Sequence, residues 1–278
     1  MDPSPRSILI TGCSSGIGLA TARACRAAGW RVFASARRAE DVARLAAEGF
    51  EALALDLDDS DSIGEAVASV LASTGGRLDA LFNNGGYGQP GAVEDLPRAA
   101  WREQFESNLF GPAELIAAVL PAMRHQGHGR ILFNSSVLGY TALPLRAAYN
   151  ASKFALEGLV DTLRLELAGS GIEAVLIEPG PIASRFRANS LAALRRHVDT
   201  DAGPHVAAYR RMIERLAKAD AAVRFTLPAE AVAAAVLQAL SSGVPRTRYP
   251  VTLPAKLFRV LNRLLPDRLL DRLKRSNA

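Results

Sequence analysis

The sequence has few cysteines and no long uncharged apolar run. Only Cys13 and Cys25 occur among its 278 residues, too few for a disulfide framework and typical of a reducing cytoplasm. No uncharged apolar stretch reaches the roughly 20 residues of a membrane-spanning helix. The first residues, M-D-P-S-P, contain neither the basic nor the apolar segment of a secretory signal. We therefore predict a cytoplasmic protein without a transmembrane helix.

Histidine is also scarce, and the positive charge is confined to one end of the chain. His197 and His205 lack ligand-like spacing, so no metal site is predicted. The net charge is +5, and an excess of five basic residues already lies between Lys256 and Ala278, so the remainder is balanced. Because a nucleic-acid-binding domain carries a basic face on its folded body, this distribution counts against that class.

Nothing in the chain marks a domain boundary. No Gly/Ser/Pro-rich linker, charge block or fixed-period repeat interrupts it, and a hydrophobic content of 49% is ample for a core. We therefore predict one α/β domain over residues 1–278.

The first motif is a glycine-rich turn between a strand and a helix. The apolar run 7–10 leads into T-G-C-S-S-G-I-G, and an Ala-rich helical stretch then closes at Gly29. Glycines let the backbone approach a pyrophosphate, and the helix N-terminus offers free N–H groups. A glycine turn of this kind is common, so by itself it indicates a dinucleotide site no more strongly than an ordinary turn.

The next two strands bear on the cofactor. Strand 31–35 is followed by Ala36, Arg37 and Arg38, where an acid would bind the ribose hydroxyls of NAD. Two arginines suit a 2′-phosphate, which favours NADP, although they would equally suit a solvated turn. Strand 52–55 ends at Asp56, placed to reach the adenine edge.

Two further segments allow a bland or a functional interpretation. Strand 78–82 ends in N-N-G-G. These residues either form an ordinary turn or flank a cofactor bound at the crevice of the sheet. A helix is predicted over 98–123, inside which Pro112 cannot donate to the carbonyl of Asn108. That carbonyl either marks a tolerated kink or is free to hold a water near Lys153.

The stretch from Ser136 to Lys153 contains the residues best suited to chemistry. If Tyr149 and Lys153 open a helix, their four-residue spacing puts both side chains on one face. A neighbouring ammonium would lower the pKa of the phenol. Ser136 follows the predicted buried strand 131–133, so its hydroxyl can reach the same substrate oxygen. The alternative is an amphipathic surface helix, since Y-x-x-x-K is common by chance.

The remaining segments are less specific. Strand 174–177 runs into E-P-G-P-I-A-S, either an ordinary loop or a stiff wall for a nicotinamide. Residues 185–225 are rich in Arg and Ala, and their charges would form a solvated face or meet an acidic substrate. The basic tail 254–278 predicts two short amphipathic helices around a Pro-Asp break, which would pack on the domain, on a sister subunit or on an anionic membrane surface.

Together these motifs resemble the short-chain dehydrogenase/reductase family, in order and at its spacing. The resemblance covers about residues 7–245, and K-F-A-L-E-G-L with E-P-G-P-I-A-S is more similar to the branch acting on steroids, retinol and other lipophilic alcohols and ketones. It implies a Rossmann-like doubly wound parallel sheet with a C-terminal helical extension, a segment 185–225 that closes over the substrate, and a homodimer or homotetramer.

The resemblance also implies roles for individual residues. Tyr149 is expected to donate or accept the proton, and Ser136 to orient and polarise the carbonyl. Lys153 is expected to hold the nicotinamide ribose and lower the pKa of Tyr149, and Asn108 to hold a water. The NADP-binding set it implies is Gly12, Ser14, Ser15, Gly16, Ile17, Gly18, Arg37, Arg38, Asp56, Leu57, Asn83, Gly85, Tyr149, Lys153, Pro179, Gly180, Ile182 and Ser184.

The sequence thus predicts an NADP-dependent oxidoreductase for a lipophilic carbonyl or alcohol. Two departures from the family pattern, Gly85 for alanine and Ser184 for threonine, remove no reacting group. The alternatives are a 3-oxoacyl-carrier-protein reductase and, in another class, a non-catalytic NADP-sensing protein. Retention of Ser136, Tyr149 and Lys153 argues against the last.

Overall fold

The computed structural model describes residues 5–217 and 225–275 and contains a seven-stranded sheet. All neighbouring strands pair in parallel, in the order β3-β2-β1-β4-β5-β6-β7. The predicted doubly wound parallel sheet is confirmed. The strands are β1 Ser7–Ile10, β2 Arg31–Ala36, β3 Glu51–Ala54, β4 Ala80–Asn83, β5 Gly129–Asn134, β6 Ile172–Glu178 and β7 Arg248–Pro250.

Helices alternate with the strands, and two more follow the last strand. The helices are α1 Gly16–Ala27, α2 Ala39–Ala47, α3 Ser60–Ser73, α4 Arg98–Phe105, α5 Gly111–Gln126, α6 Ala147–Glu166, α7 Phe186–His197, α8 Val206–Ala217, α9 Ala229–Ser241, α10 Leu253–Leu264 and α11 Asp267–Arg275. None of the described helices is both long and apolar enough to cross a bilayer.

The sheet is buried on both faces, which explains its short, almost wholly apolar strands. Within β1, Leu9 points into a core shared with α3, α5 and α6. Its neighbours Ile8 and Ile10 point into a second core, against α1, α2 and α9. Alternate residues of one strand therefore support opposite layers of helices.

The strand order positions the functional site. From β1 the sheet grows toward β2 and β3 on one side and toward β4 to β7 on the other. In open α/β sheets the crevice outside the carboxyl ends of the strands, where this order reverses, is where ligands bind. The glycine turn follows β1, and N-N-G-G spans the end of β4 and the loop after it, so both motifs lie at this crevice.

The structure differs from the sequence prediction in the helix over 98–123. Glu106–Phe110 forms a π-helical turn that separates α4 from α5. Pro112 is at the start of α5 and has no N–H to continue a regular ladder, and π turns of this kind are frequent at functional sites. The predicted helical stretch is therefore present without a gap, and the π turn that the prediction lacked includes Asn108.

The C-terminal part of the chain extends the fold. Strand β7 lies beyond residue 245, where the resemblance was expected to end, and it pairs with β6. The Arg- and Ala-rich segment forms α7 and α8, and its residues 218–224 are outside the described part. The tail forms α10 and α11 on either side of Pro266, as predicted, and residues 276–278 are likewise outside the described part.

Candidate active site

The glycine turn is held against the loop after β4 by close backbone approach. A Cβ on Gly12, whose φ is +72°, would lie 2.9 Å from the Cα of Gly85, and a Cβ on Gly18 would lie 2.3 Å from the Gly12 carbonyl oxygen. The Thr11 hydroxyl accepts hydrogen bonds from the N–H groups of Asn84 (2.9 Å) and Gly85 (2.8 Å). Glycine is therefore required here because the backbone segments touch.

The rest of the turn opens toward the crevice. Ser15 is the N-cap of α1, yet its side chain makes no capping bond, and Ile17 packs on the core beneath the helix. The Ser14 carbonyl accepts from Arg44 (2.6 Å) and from Arg185 (3.2 Å). Two guanidinium groups therefore meet at the turn.

A buried side chain beside this turn has unsatisfied polar atoms. Both the nitrogen and the oxygen of the Asn83 side-chain amide are buried without a hydrogen-bond partner among the described residues. Buried polar groups are almost always paired, so an unpaired amide at the crevice fits a bound polar ligand. Glycines that admit a pyrophosphate and an unpaired amide next to them suit a dinucleotide.

The two arginines predicted to bind a 2′-phosphate differ in how closely they are paired with carboxylates. Arg38 is engaged by Asp41 at 3.0 Å and by Glu40 at 3.3 Å. Arg37 is two-thirds exposed and lies 3.9 Å from Asp56. Arg37 is thus the less committed cation, whereas Arg44 is a neighbouring cation that the sequence analysis did not select.

The Leu57 side chain occupies the space left by Gly85. A Cβ on Gly85 would lie 2.7 Å from Cδ1 of Leu57. The departure from alanine is therefore compensated by a neighbouring leucine. The carbonyl of Leu57 also approaches Gly111 so closely that a Cβ there would lie 2.1 Å from it.

Helix α6 places the catalytic candidates together. Tyr149 and Lys153 are both buried near its start, with the Lys153 Nζ 5.9 Å from the centre of the Tyr149 ring. Lys153 Nζ donates to the carbonyl of Asn134 at 2.7 Å, which anchors the ammonium to the end of β5. The helix and the shared face were predicted from the four-residue spacing.

Burial has the largest effect on the pKa of Tyr149. Burial raises the pKa of Tyr149 to about 12, against smaller lowering effects from the Ser136 hydroxyl and the Arg146 guanidinium. Lys153 is not among the groups that lower it, and burial lowers the pKa of Lys153 itself to about 8. Desolvation therefore outweighs the nearby charges, and the lowering of the Tyr149 pKa by Lys153 stays a prediction.

Asn108 is fixed by its side chain. Its Nδ2 donates to the Tyr87 carbonyl (3.0 Å) and the Ser152 hydroxyl (3.2 Å), and its Oδ1 accepts from the Tyr87 N–H (3.2 Å). Ser152 belongs to α6, so the π turn is tied to the catalytic helix. The predicted water link from Asn108 to Lys153 stays a prediction.

The loop after β6 closes the other side of the site. The Pro179 carbonyl accepts from the Val137 N–H at 2.8 Å, next to Ser136. Ile182 bridges to Leu227, and a Cβ on Gly16 would lie 3.1 Å from the Cβ of Ser184. This loop therefore spans from the catalytic serine to the glycine turn.

Helix α10 braces that loop, which the sequence analysis did not foresee. The Glu178 carboxylate is fully buried and accepts from Arg259 at 2.7 Å, with Arg248 at 3.3 Å. A Cβ on Gly180 would lie 2.2 Å from the Thr252 hydroxyl. The residues that approach E-P-G-P-I are 70 or more positions away, so no local signal reveals them.

Phe186 covers the catalytic tyrosine. It is the first residue of α7, and its ring meets that of Tyr149 edge-on, with centroids 5.4 Å apart. Phe186 remains partly exposed and so presents apolar surface beside the phenol. An aromatic residue directly after the S-R of the loop is the only sequence signal that could have indicated it.

Comparison with known proteins matches this arrangement. The family model for short chain dehydrogenase matches residues 6–194. The chain belongs to the short-chain dehydrogenase/reductase family. The family segment includes the glycine turn, the π turn and the catalytic helix, and it ends within α7 of this short-chain dehydrogenase/reductase.

Three relatives illustrate its place among short-chain dehydrogenases/reductases. The uncharacterized oxidoreductase YbbO of Escherichia coli K12 is 42% identical over 269 residues, covering 96% of this chain and 93% of YbbO. The NADPH-dependent 3-dehydrocapnine reductase of Ornithobacterium rhinotracheale is 32% identical, covering 96% and 95%. Human retinol dehydrogenase 8 is 38% identical, covering 69% and 64%.

A solved structure agrees with the whole fold. A short-chain dehydrogenase from Streptomyces avermitilis superposes with a TM-score of 0.78 at 31% identity, covering 99% of this chain and 96% of the other. The similarity thus extends over α10 and α11 as well as the sheet.

Proposed function

We propose that this chain is an NADP-dependent oxidoreductase that transfers hydride between nicotinamide and a lipophilic carbonyl or alcohol, with Tyr149 as its general acid. The observation that carries the proposal is the meeting of Tyr149, Ser136 and Lys153 at the crevice where Asn83 has unpaired polar atoms. When bound, the nicotinamide supplies the hydride. The residues named here hold and protonate the substrate oxygen.

The protonation state of Tyr149 suits its role as the acid when a carbonyl is reduced. With its pKa raised to about 12, the Tyr149 phenol is protonated at neutral pH, which is the form that donates to a carbonyl oxygen. Ser136 interacts with the same phenol and can share the substrate oxygen. Positioned acid catalysis of this kind contributes roughly 10²- to 10⁴-fold.

NADP preference follows from positive charge at the adenine end. Ala36 ends β2 without a carboxylate to bind the ribose hydroxyls, and Arg37 is largely exposed beside it. Arg44 reaches the glycine turn from α2. The NADPH dependence named for the 3-dehydrocapnine reductase agrees with this assignment.

A lipophilic substrate is supported by the apolar surface beside Tyr149. Phe186 offers a partly exposed ring, and retinol dehydrogenase 8 is a relative whose name gives a lipophilic alcohol. The test is cofactor consumption with steroids, retinoids, long-chain aldehydes and 3-oxoacyl thioesters, using NADPH and then NADH. Faster turnover with NADH would refute the NADP assignment, and thioesters alone as substrates would refute the lipophilic one.

The NADP assignment has its own variant test. Arg37→Ala is expected to raise the KM for NADPH about tenfold while leaving that for NADH unchanged, because only the former carries the 2′-phosphate. Arg124→Ala, on the far part of α5, is the matched control. Equal effects of Arg37→Ala on both cofactors would count against a 2′-phosphate site.

We further propose that α10 rests on an anionic membrane surface. One arginine of this helix and its asparagine face inward, since Arg259 binds Glu178 and Asn262 donates to the Tyr140 carbonyl. Four of its apolar side chains are exposed, and with two exposed leucines of α11 they form the leucine stripe: Leu253, Leu257, Val260, Leu264, Leu269 and Leu273.

The charge around the leucine stripe favours an anionic lipid surface over a second copy of the chain as its binding partner. Basic residues such as Lys256 and Arg263 flank it, and the tail holds the net charge of the whole chain. A second copy would bring one positive tail against another, whereas anionic lipids complement it. Homodimer or homotetramer formation and a cytoplasmic location stay predictions from the sequence.

Vesicle binding tests the membrane proposal. Wild type is expected to co-sediment with vesicles of equal parts phosphatidylglycerol and phosphatidylcholine, and Leu257→Gln with Val260→Gln to lose this. Leu165→Gln, which changes a still more exposed leucine on α6, is the control. Point substitutions are preferable to truncation because removing α10 also removes Arg259 from the site. Equal sedimentation of all three proteins would contradict the proposal.

A further inference from the structure

A positively charged group lies beside the catalytic tyrosine and has no role in the chemistry described so far. Arg146 precedes α6 directly, three residues before Tyr149. Leu145 before it has φ +58°, an uncommon backbone conformation for a branched residue. The turn is held by Gly91, whose N–H donates to the Leu145 carbonyl and whose carbonyl accepts from Ala147. The fold thus maintains a strained turn that fixes Arg146 at this place.

The Arg146 guanidinium is largely enclosed and has no counter-charge among the described residues. Burial lowers its pKa to about 10, although its surface is not fully closed to solvent. Within the described part of the chain, no carboxylate forms an ion pair with it and no hydrogen bond to it is present. A buried charge is normally paired, so a half-buried guanidinium without a partner among the described residues, three positions from Tyr149, can accept an anion from outside.

A second arginine reinforces the positive potential. Arg215 on α8 lowers the pKa of Arg146, and Arg215 is itself influenced by Arg187 of α7. The contact is built by packing, because Met212 and Leu216 share an apolar cluster with Ala148 of α6. The N-terminal end of the 20-residue helix α6 adds its positive dipole end here. The Arg146 guanidinium, which itself acts on Tyr149, is therefore the cation nearest the phenol, and Arg215 acts on it from α8.

From this we infer that Arg146 binds an oxyanion on the substrate, so that the enzyme acts on a lipophilic carbonyl or alcohol bearing a carboxylate, phosphonate or sulfonate near the reacting carbon. This rests on the proposed function and deepens it. The acidic group binds the guanidinium while Tyr149 faces the carbonyl oxygen, and the apolar chain leaves past Phe186. Because Arg146 is one helical turn from Tyr149, the anion lies within a few carbons of the carbonyl.

Matched substrates test the inference. The probes are 4-oxododecanoic acid, its methyl ester, and a 2-oxoalkylphosphonic acid with its diester, each assayed with NADPH. Wild type is expected to show a KM at least about tenfold lower for each acid than for its ester. Arg146→Gln is expected to raise the KM for the acids about 10- to 100-fold, the range of a lost charge-assisted hydrogen bond, and to leave the esters nearly unchanged.

Two further variants keep the result interpretable. Arg146→Lys retains the charge and is expected to keep most of the preference for acids, which serves should Arg146→Gln not fold. Arg211→Gln, an exposed arginine on α8, is the matched control and is expected to behave as wild type. Equal KM values for acid and ester in wild type would overturn the inference. So would a fall in kcat for acids and esters alike in Arg146→Gln with a shifted pH profile, because Arg146 would then act only on Tyr149.

A binding measurement separates this inference from the proposed activity. Decanoate, which has no ketone, is expected to raise the melting temperature of wild type and not that of Arg146→Gln, whereas decanol affects both alike. If no panel compound is reduced but decanoate still protects through Arg146, the proposed reaction is wrong and the anion site stands. If ketones are reduced but decanoate gives no Arg146-dependent protection, the anion site is wrong and the reaction stands.

Discussion

Helices α6 and α10 border the same site with opposite polarity. Helix α6 buries Tyr149 and Lys153 together with apolar residues such as Leu156. Helix α10 turns Arg259 inward and leaves Leu257 and Val260 in solvent. Both have amphipathic sequences, so the amphipathic pattern predicts a helix without telling which face packs. The surface against which a helix packs decides which of its faces is buried. Helix α6 packs on an apolar sheet, whereas α10 packs over the buried Glu178 carboxylate.

The largest expected difference between the two helices comes from removing the Tyr149 hydroxyl of α6. Tyr149→Phe deletes only the hydroxyl and is expected to lower kcat about 10²- to 10⁴-fold with unchanged folding and NADPH binding. Tyr249→Phe, which removes a phenol on β7, should keep full turnover. Near wild-type turnover in Tyr149→Phe would remove Tyr149 from its role.

Leucine truncation compares the two helices directly. Leu156→Ala in α6 is expected to lower the free energy of unfolding by about 2–5 kcal/mol, because it leaves a cavity in the core. Leu257→Ala in α10 is expected to stay within about 0.5 kcal/mol. Urea unfolding followed by circular dichroism measures both. A large loss at Leu257 would show that this face is covered in solution, as by a second subunit.

Removing the inward cation of α10 should also destabilise the protein. Arg259→Met leaves Glu178 with only the longer contact to Arg248, and the expected cost above pH 8, where Glu178 is ionised, is about 3 kcal/mol. Arg263→Met, an exposed arginine of the same helix, is the control and should change little. If Arg259→Met keeps its stability but loses turnover, the contribution of Arg259 is to position the loop after β6 and not to stabilise the fold.

The weakest expected effect concerns pH. Burial raises the pKa of Glu178 to about 8, so the folded protein binds a proton there that the unfolded chain releases above about pH 4.5. Stability from this group is therefore present at low pH and lost as the pH rises toward 8. Glu178→Gln should flatten the decline in unfolding free energy between pH 5 and 8. An unchanged slope would show that Arg259 and Arg248 keep the carboxylate charged.

Much of the site was predictable because its residues are close together in the sequence, within short motifs. The glycine turn and Y-x-x-x-K carry their chemistry in their own spacing, as the positive φ of Gly12 and the shared face of Tyr149 and Lys153 illustrate. The groups that approach from elsewhere were missed. Thr252 against Gly180 and Phe186 against Tyr149 meet only after the chain has folded.

By itself the sequence determined the family, the strand-turn-helix order and the glycines of the first turn, and it predicted which residues would carry the acid chemistry. Backbone sterics and helix periodicity act within a few residues of the chain, so they can be read along it. Only the tertiary structure decided the raised pKa of Tyr149, the surroundings of Arg146 and the inward face of α10. Desolvation and ion pairing depend on which distant segments surround a group, and that is fixed only when the sheet and its helices assemble.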